Sequence, residues 1–207
     1  MIATASSRFR ILIVPGLHDS GHGHWQTLWQ QQAPTVERVE QDRWDVPSIE
    51  SWAARINSTL SRSARPAVLV AHSFGCLAAV HAAATGARNL HGLFLVAPAD
   101  PDRFSLGPTL RGAKLPCPAI VVASTNDPWM GVDNAARWAQ HWGAEFLVAG
   151  ELGHINADSG IGAWPQGMAH FERLLARVQP PADCPSGTRP ATSCPPNDKG
   201  SHAGSIY

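Results

Sequence analysis

The stretch Ala67-Val68-Leu69-Val70-Ala71-His72-Ser73-Phe74-Gly75 decides how this chain folds. Its first four residues are apolar and predict a short buried strand. The small residues 76–84 that follow predict a closely packed helix. A strand that turns directly into a helix leaves Ser73 at the apex in strained backbone geometry, and it requires small residues two positions away on either side. Ala71 and Gly75 meet this requirement, although the usual pattern has glycine at both positions. The stretch is typical of a nucleophile elbow.

Short apolar runs surround the elbow and alternate with helical patterns. Strands are predicted at 9–14, 36–40, 67–70, 92–97, 119–124 and 145–149, and helices at 24–32, 48–60, 76–84, 133–141 and 164–178. Ser48 is placed as the N-cap of the second helix, and Gly143 ends the fourth. Short apolar strands that alternate with helices predict an α/β fold, a mostly parallel sheet of about six strands with helices on both faces.

The length of the chain, 207 residues, suffices for one well-buried core but not for two ordinary domains. We expect residues 9–179 to form that domain and residues 1–8 to be an N-terminal extension. Residues 180–207 are rich in Pro, Gly and Ser and contain few large apolar side chains, so they are predicted to be disordered. The segment 98–118, between the fourth and fifth strands, is too short for a large lid domain.

Charge and cysteine usage exclude several classes of function. The formal net charge is zero, which argues against nucleic acid or an anionic membrane surface as the main partner. No apolar run approaches the roughly 20 residues that span a bilayer, and residues 1–8 do not resemble a secretory signal. The four cysteines form no CxxC pair typical of zinc or redox chemistry, so a cytoplasmic location is expected; they are Cys76, Cys117, Cys184 and Cys194.

A serine nucleophile needs a base, and the base needs an acid that orients it. In folds of this kind the chain order is Ser, then Asp or Glu, then His. Asp127 follows the fifth predicted strand, and His154 follows the sixth. The carboxyl ends of parallel strands lie at one edge of a sheet, where ligands bind. We therefore predict that Ser73, Asp127 and His154 form a catalytic triad.

The acid is the least certain member of this triad by sequence. Asp127 directly precedes Pro128, so its side chain equally suits a helix N-cap with proline at the first helical position. The two roles require different orientations of the carboxylate and are expected to compete. Asp100, Asp102 and Asp158 are the alternative acids.

An oxyanion hole requires two N–H groups that point at the developing negative charge. Phe74, which follows the nucleophile and begins a helix, is the first predicted donor, and Leu17, after the first strand, is the second. His72 is expected to point away from the base and to serve as structural support. The predicted walls of the substrate pocket are Leu17, His18, Phe74, Trp129 and Trp164.

Three histidines near the N-terminus raise the question of a metal. His18, His22 and His24 are close in sequence, but no carboxylate or cysteine cluster joins them. Neither a metal site nor an organic cofactor is expected, and His18 is predicted to line the substrate pocket instead.

The loop Val14–Ser20, the elbow, the run Ser124–Pro128 and the run Gly153–Asn156 together resemble a compact serine hydrolase family. That family belongs to the α/β-hydrolase superfamily and includes vertebrate retinoblastoma-binding protein 9 and many bacterial relatives. The likeness covers about residues 9–178. It implies an α/β-hydrolase fold without the first two strands of the superfamily, a triad of Ser73, Asp127 and His154, and esterase-type activity. The L-x-C-x-E motif for tumour-suppressor binding is absent from the chain, so that binding role is not expected.

Two functions of different classes follow from these motifs. The first is a serine hydrolase that acts through an acyl-enzyme on a small ester or amide, with a small molecule as its only expected partner. The second is a protein-interaction module that keeps the fold with vestigial chemistry. A haloperoxidase or thioesterase would use the same residues. The sequence does not indicate an oligomeric state.

Overall fold

The computed structural model of the protein describes residues 2–178, so the tail predicted to be disordered, 180–207, lies outside the described residues. One six-stranded sheet, parallel throughout, has the strand order β2-β1-β3-β4-β5-β6. Its strands are β1 (Arg10–Val14), β2 (Glu37–Arg38), β3 (Ala67–His72), β4 (Leu90–Val96), β5 (Ala119–Ala123) and β6 (Glu145–Val148). The helices are α1 (Ile2–Arg8), α2 (Trp25–Gln32), α3 (Ile49–Ser61), α4 (Phe74–Ala84), α5 (Gly107–Arg111), α6 (Val132–Trp142) and α7 (Pro165–Leu175).

Alternate residues of the central strands enter two separate cores, because successive side chains of a strand point to opposite faces of the sheet. In β3, Leu69 and Ala71 pack beneath α3, α4 and α6. Val68 and Val70 pack on the other face beneath α1, α2 and α7. The buried sheet with helices on both faces is the predicted architecture.

Local signals in the sequence explain where several helices begin and end. Ser48 caps α3 as predicted, because its hydroxyl accepts a hydrogen bond from the Ser51 N–H. Gly143 ends α6 in the left-handed region, at φ 73°. Helix α4 is apolar on all sides and is buried along almost its whole length, which suits a helix between the sheet and α3.

The structure departs from the predicted elements in three places. The predicted strand 36–40 contains only two residues of regular strand, at the edge of the sheet, where β2 has one neighbour. Residues 2–8 form a helix that was not predicted, and Ile2 and Ala5 are buried against the sheet. Segment 98–118 contains a 3₁₀ turn and the short α5, neither of which was predicted. Within residues 2–178, no large lid domain covers the sheet edge, as expected. None of the helices within residues 2–178 is long and apolar enough to cross a bilayer.

Candidate active site

Ser73 lies at the turn between β3 and α4 with φ 54° and ψ −126°, a conformation that serine rarely adopts. The Ser73 N–H donates to the Val96 carbonyl, and the Ser73 carbonyl accepts from the Cys76 N–H. The turn is so tight that a Cβ added at Gly75 would lie 2.2 Å from the Pro15 carbonyl oxygen. The predicted need for a small residue at position 75 therefore has a direct steric cause.

His154 lies between Ser73 and Asp127. Its Nε2 is 2.9 Å from Ser73 Oγ, and its Nδ1 is 2.8 Å from Asp127 Oδ2. A carboxylate only accepts, so Nδ1 carries the proton and the free Nε2 can accept from the serine hydroxyl. The Asp127 side chain is 2% exposed and that of His154 is 12% exposed, so water has little access to the contact between them. The structure brings the three residues of the predicted triad together.

Asp127 contacts His154 but does not cap a helix. Its Oδ1 accepts from the Trp129 N–H at 2.9 Å, while Oδ2 faces His154. Helix α6 begins only at Val132, so this contact closes a turn and is not the helix cap that the sequence suggested. The side chains of two alternative acids contact other groups: Asp100 accepts from the Asp102 N–H, and Asp158 accepts from the Asn156 amide.

Two polar side chains that the sequence analysis did not single out hold the aspartate loop and the histidine loop together. The Ser124 hydroxyl accepts from the Leu152 N–H and donates to Asn126 Oδ1 or to the Gly150 carbonyl. Asn126 Oδ1 also accepts from the Gly153 N–H at 2.7 Å, directly before His154. The only sequence signal for these contacts is that 124–126 and 150–153 follow neighbouring strands.

The loop after β1 approaches the nucleophile closely enough to face it. A Cβ added at Gly16 would lie 2.7 Å from Ser73 Cβ, so only glycine allows this approach. The next residue is Leu17, one of the two predicted oxyanion donors. Within residues 2–178, the His18 N–H donates to the Trp44 carbonyl, whereas the Leu17 and Phe74 N–H groups donate to no main-chain carbonyl.

A cavity of about 420 Å³ opens in front of Ser73 and His154. Leu17, His18 and Trp129 line it as predicted, and Trp129 is 56% exposed at its rim. The loop after β4 contributes further lining residues, which the sequence analysis considered only as a source of acids although that loop follows a strand. They are Ala99, Asp100, Arg103 and Phe104, and Asn156 completes the lining.

Trp164 and the ring of Phe74 do not line this cavity, which corrects two of the predicted pocket walls. Trp164 has a left-handed backbone, φ 47°, that turns its ring into the core on the α2 and α7 side. There it is 1% exposed and its centroid lies 5.3 Å from that of Trp25. The Phe74 ring is fully buried between Trp52 and Phe104.

Two buried histidines support the site. His24 Nδ1 accepts from the Gln26 N–H at the start of α2, and burial lowers the pKa of His24 to about 4. The ring of His72 does not point away from the base as expected: its centroid is 4.9 Å from that of His154, and its Nε2 bonds to the His154 carbonyl. Within residues 2–178 no group of three or more His, Cys, Asp or Glu side chains is arranged to hold a metal ion.

Comparisons with known proteins agree with this architecture. The family described as serine hydrolase matches residues 11–173. A protein described as a YdeN-like hydrolase, from Pectobacterium atrosepticum, is 37% identical, with 86% of this chain and 97% of that chain covered and a TM-score of 0.81. No curated protein sequence matches the chain.

More distant structures show the fold alone. The ydeN gene product from B. subtilis is 20% identical, with 81% of this chain and 99% of that chain covered and a TM-score of 0.65. Alpha/beta hydrolase domain-containing protein 10 from mouse is 14% identical, with 80% and 89% covered and a TM-score of 0.60. The sheet has the α/β-hydrolase fold, and the chain belongs to the serine hydrolase family, which has bacterial members.

Proposed function

We propose that the chain is a carboxylesterase-like hydrolase in which Ser73 is the nucleophile, His154 the general base and Asp127 the orienting acid. One observation carries the proposal: the two ring nitrogens of His154 lie 2.9 Å from Ser73 Oγ and 2.8 Å from Asp127 Oδ2. An unreactive turn serine would not require a buried His–Asp pair in line with its hydroxyl. The family membership and the strained elbow support the same assignment.

In the acylation step, Ser73 Oγ attacks the carbonyl carbon of the ester while its proton moves to His154 Nε2. The carbonyl π bond opens, and its electron pair becomes the oxyanion of a tetrahedral intermediate. When the intermediate collapses, the bond to the leaving oxygen breaks, and His154 returns the proton to the departing alcohol. Asp127 stays ionised and stabilises the imidazolium between these two transfers.

We assign the oxyanion hole to the N–H groups of Leu17 and Phe74. The close approach of Gly16 to Ser73 and the lack of a main-chain acceptor for either N–H support this assignment. Phe74 also begins α4, whose N-terminal dipole favours negative charge. One such donor is worth about 3–4 kcal/mol of the activation barrier in comparable sites.

In the deacylation step, a water molecule replaces the alcohol on the His154 side. His154 takes its proton as the water oxygen attacks the acyl carbon, and the carbonyl electron pair again becomes an oxyanion. When this second tetrahedral intermediate collapses, the bond between the acyl carbon and Ser73 Oγ breaks and the acid leaves. His154 gives its proton to Ser73 Oγ as that bond breaks, which restores the starting state.

The cavity favours a small ester with a short or aromatic acyl group. Its volume of about 420 Å³ is at the lower end of what ligand pockets offer. Leu17, Phe104 and Trp129 give it apolar and aromatic walls. In the described part of the chain, residues 2–178, no lid domain extends over the opening, so a long lipid chain would remain exposed to water. Amides and thioesters would use the same residues and are the natural comparison substrates.

The test is hydrolysis of short-chain p-nitrophenyl esters together with labelling by a fluorophosphonate, which reacts with activated serines. Ser73→Ala should abolish both, whereas Ser58→Ala, at an exposed position on α3, should leave both unchanged. Labelling of Ser73→Ala at the native level would refute the assignment of the nucleophile. A native chain that is never labelled would instead favour the interaction module with vestigial chemistry.

A further inference from the structure

The segment that carries His154 has a strained main chain. His154 lies between two residues in the left-handed region, Gly153 at φ 54° and Ile155 at φ 46°. Such a φ is unfavourable for a β-branched residue like isoleucine, and it persists only where the surroundings fix it. Ile155 is fully buried, so protein contacts rather than water must hold this main chain.

Two buried rings donate hydrogen bonds to successive carbonyls of this segment. The Trp25 Nε1–H donates to the Ile155 carbonyl at 2.9 Å. His72 Nε2 lies 2.9 Å from the His154 carbonyl oxygen, and because a carbonyl only accepts, Nε2 carries the proton. The donors come from α2 and from the end of β3, so two rigid elements hold two successive peptide groups.

His72 is suited to this contact because it stays neutral. Its side chain is buried beside His24 and His154, and burial holds the pKa of His72 well below its ordinary value. A neutral ring still supplies the N–H. It also avoids a second positive charge beside His154, whose ring centroid is 4.9 Å away, at the moment when His154 becomes an imidazolium.

We propose that Trp25 and His72 are positioning residues for His154. Their N–H groups bind the Ile155 and His154 carbonyls and thereby keep the His154 ring within hydrogen-bonding distance of the Ser73 hydroxyl. This inference rests on the proposed function. Trp29 shows that an indole of α2 can be buried without donating to a carbonyl of the His154 segment. Trp29 is equally buried in the same core, but its Nε1–H donates to the Ala163 carbonyl, nine residues beyond His154.

The neighbouring tryptophan provides a matched control. Trp25→Phe and Trp29→Phe each remove one indole N–H and a similar volume from the same helix and the same core. We expect the two variants to lower Tm by similar amounts. Trp25→Phe should lower kcat for a short-chain ester about 100-fold with KM nearly unchanged, because a small misplacement of a catalytic group has that effect. Trp29→Phe should keep kcat within about twofold of the native value.

A spectroscopic measurement tests the same inference without turnover. The Nδ1 proton between His154 and Asp127 should give a low-field ¹H NMR resonance in the native protein. We expect that resonance to be shifted or broadened in Trp25→Phe and unchanged in Trp29→Phe. A merely structural role for Trp25 would leave it unchanged in both variants.

A second pair of variants covers the case in which Trp25→Phe does not fold. His72→Gln keeps an N–H donor near the position of Nε2, and His72→Leu removes it. The glutamine variant should retain at least about ten times more kcat than the leucine variant. Equal kcat in Trp25→Phe and Trp29→Phe, or in the two His72 variants, would overturn the inference. A native chain with neither hydrolysis nor labelling would overturn the proposed function instead, and the NMR comparison would still decide the positioning.

Discussion

Adding one methyl group at Gly75 should damage both the stability and the proposed chemistry of the site. In Gly75→Ala the new Cβ would lie 2.2 Å from the Pro15 carbonyl oxygen and 2.6 Å from that of Val14. Ordinary contact begins near 3.4 Å, so the two elements must separate by about 1 Å. Both obstacles are main-chain atoms that cannot rotate away, so the end of β1 or the start of α4 has to move.

The expected loss of stability follows from two opposing effects. Overpacking of a rigid site costs about 3 kcal/mol at the upper end of the usual range. Alanine in place of glycine reduces the conformational entropy of the unfolded chain by up to about 1 kcal/mol, which offsets part of that loss. The free energy of unfolding should therefore fall by about 2 kcal/mol. The displaced Pro15 carbonyl precedes Gly16 and Leu17, so kcat/KM should fall about 100-fold as the proposed oxyanion donor moves.

Urea unfolding and ester hydrolysis by the folded fraction measure these two effects. Gly112→Ala is the control, because Gly112 also lies at a helix end, at φ −85°, and an added Cβ there meets nothing within 4 Å. It should be neutral or stabilise by up to about 1 kcal/mol, with unchanged kcat/KM. If Gly75→Ala behaved like Gly112→Ala in both measurements, the close approach of β1 to the elbow would contribute neither to stability nor to the position of the oxyanion donor.

Two further predictions concern the acid and a buried histidine. Asp127→Asn should lower kcat for ester hydrolysis about 10⁴-fold, because the amide favours the wrong tautomer of His154. The control Asp158→Asn should leave kcat unchanged. Equal kcat in the two variants would rule out Asp127 as the orienting acid. The pKa of His24, about 4 in the fold, is below its ordinary value of 6.5. Its neutral form therefore stabilises the fold above pH 6.5, and about 3 kcal/mol of the free energy of unfolding should be lost between pH 7 and pH 4. Urea unfolding at the two pH values measures this loss. It should be smaller in His24→Asn, whose side chain can still cap α2. A loss of the same size in His24→Asn would show that His24 is not its source.

Most of the architecture could be predicted from the sequence because its signals are local. A short apolar run reads as a buried strand wherever its partners lie, and Ser48 and Gly143 mark helix ends through their own chemistry. Residues 2–8 were the exception, since a seven-residue segment of small and polar residues carries too little periodicity to predict a helix.

The candidate site was predictable to the extent that it depends on where strands end. Ser73, Asp127 and His154 each follow a strand of a parallel sheet, and such ends share one edge. Their order and position in the sequence were therefore sufficient to predict that the three residues lie close together. Backbone torsion angles could not be predicted from the order of the residues. The left-handed backbone of Trp164 directs its ring into the core, although the sequence predicted a pocket wall.

The strand–turn–serine–helix unit, the alternation of strands and helices, and the group of residues at the sheet edge could all be predicted before folding was known, because each depends on residues near one another in the chain. Three features could be known only from the folded chain. They are which Asp127 oxygen faces His154, the bond from the Gly153 N–H to Asn126, and the bonds of Trp25 and His72 to the Ile155 and His154 carbonyls. Those contacts join segments far apart in sequence. A change of a few tenths of an ångström in a distance, or a change in one φ angle, would break them. No pattern of residue types encodes such detail.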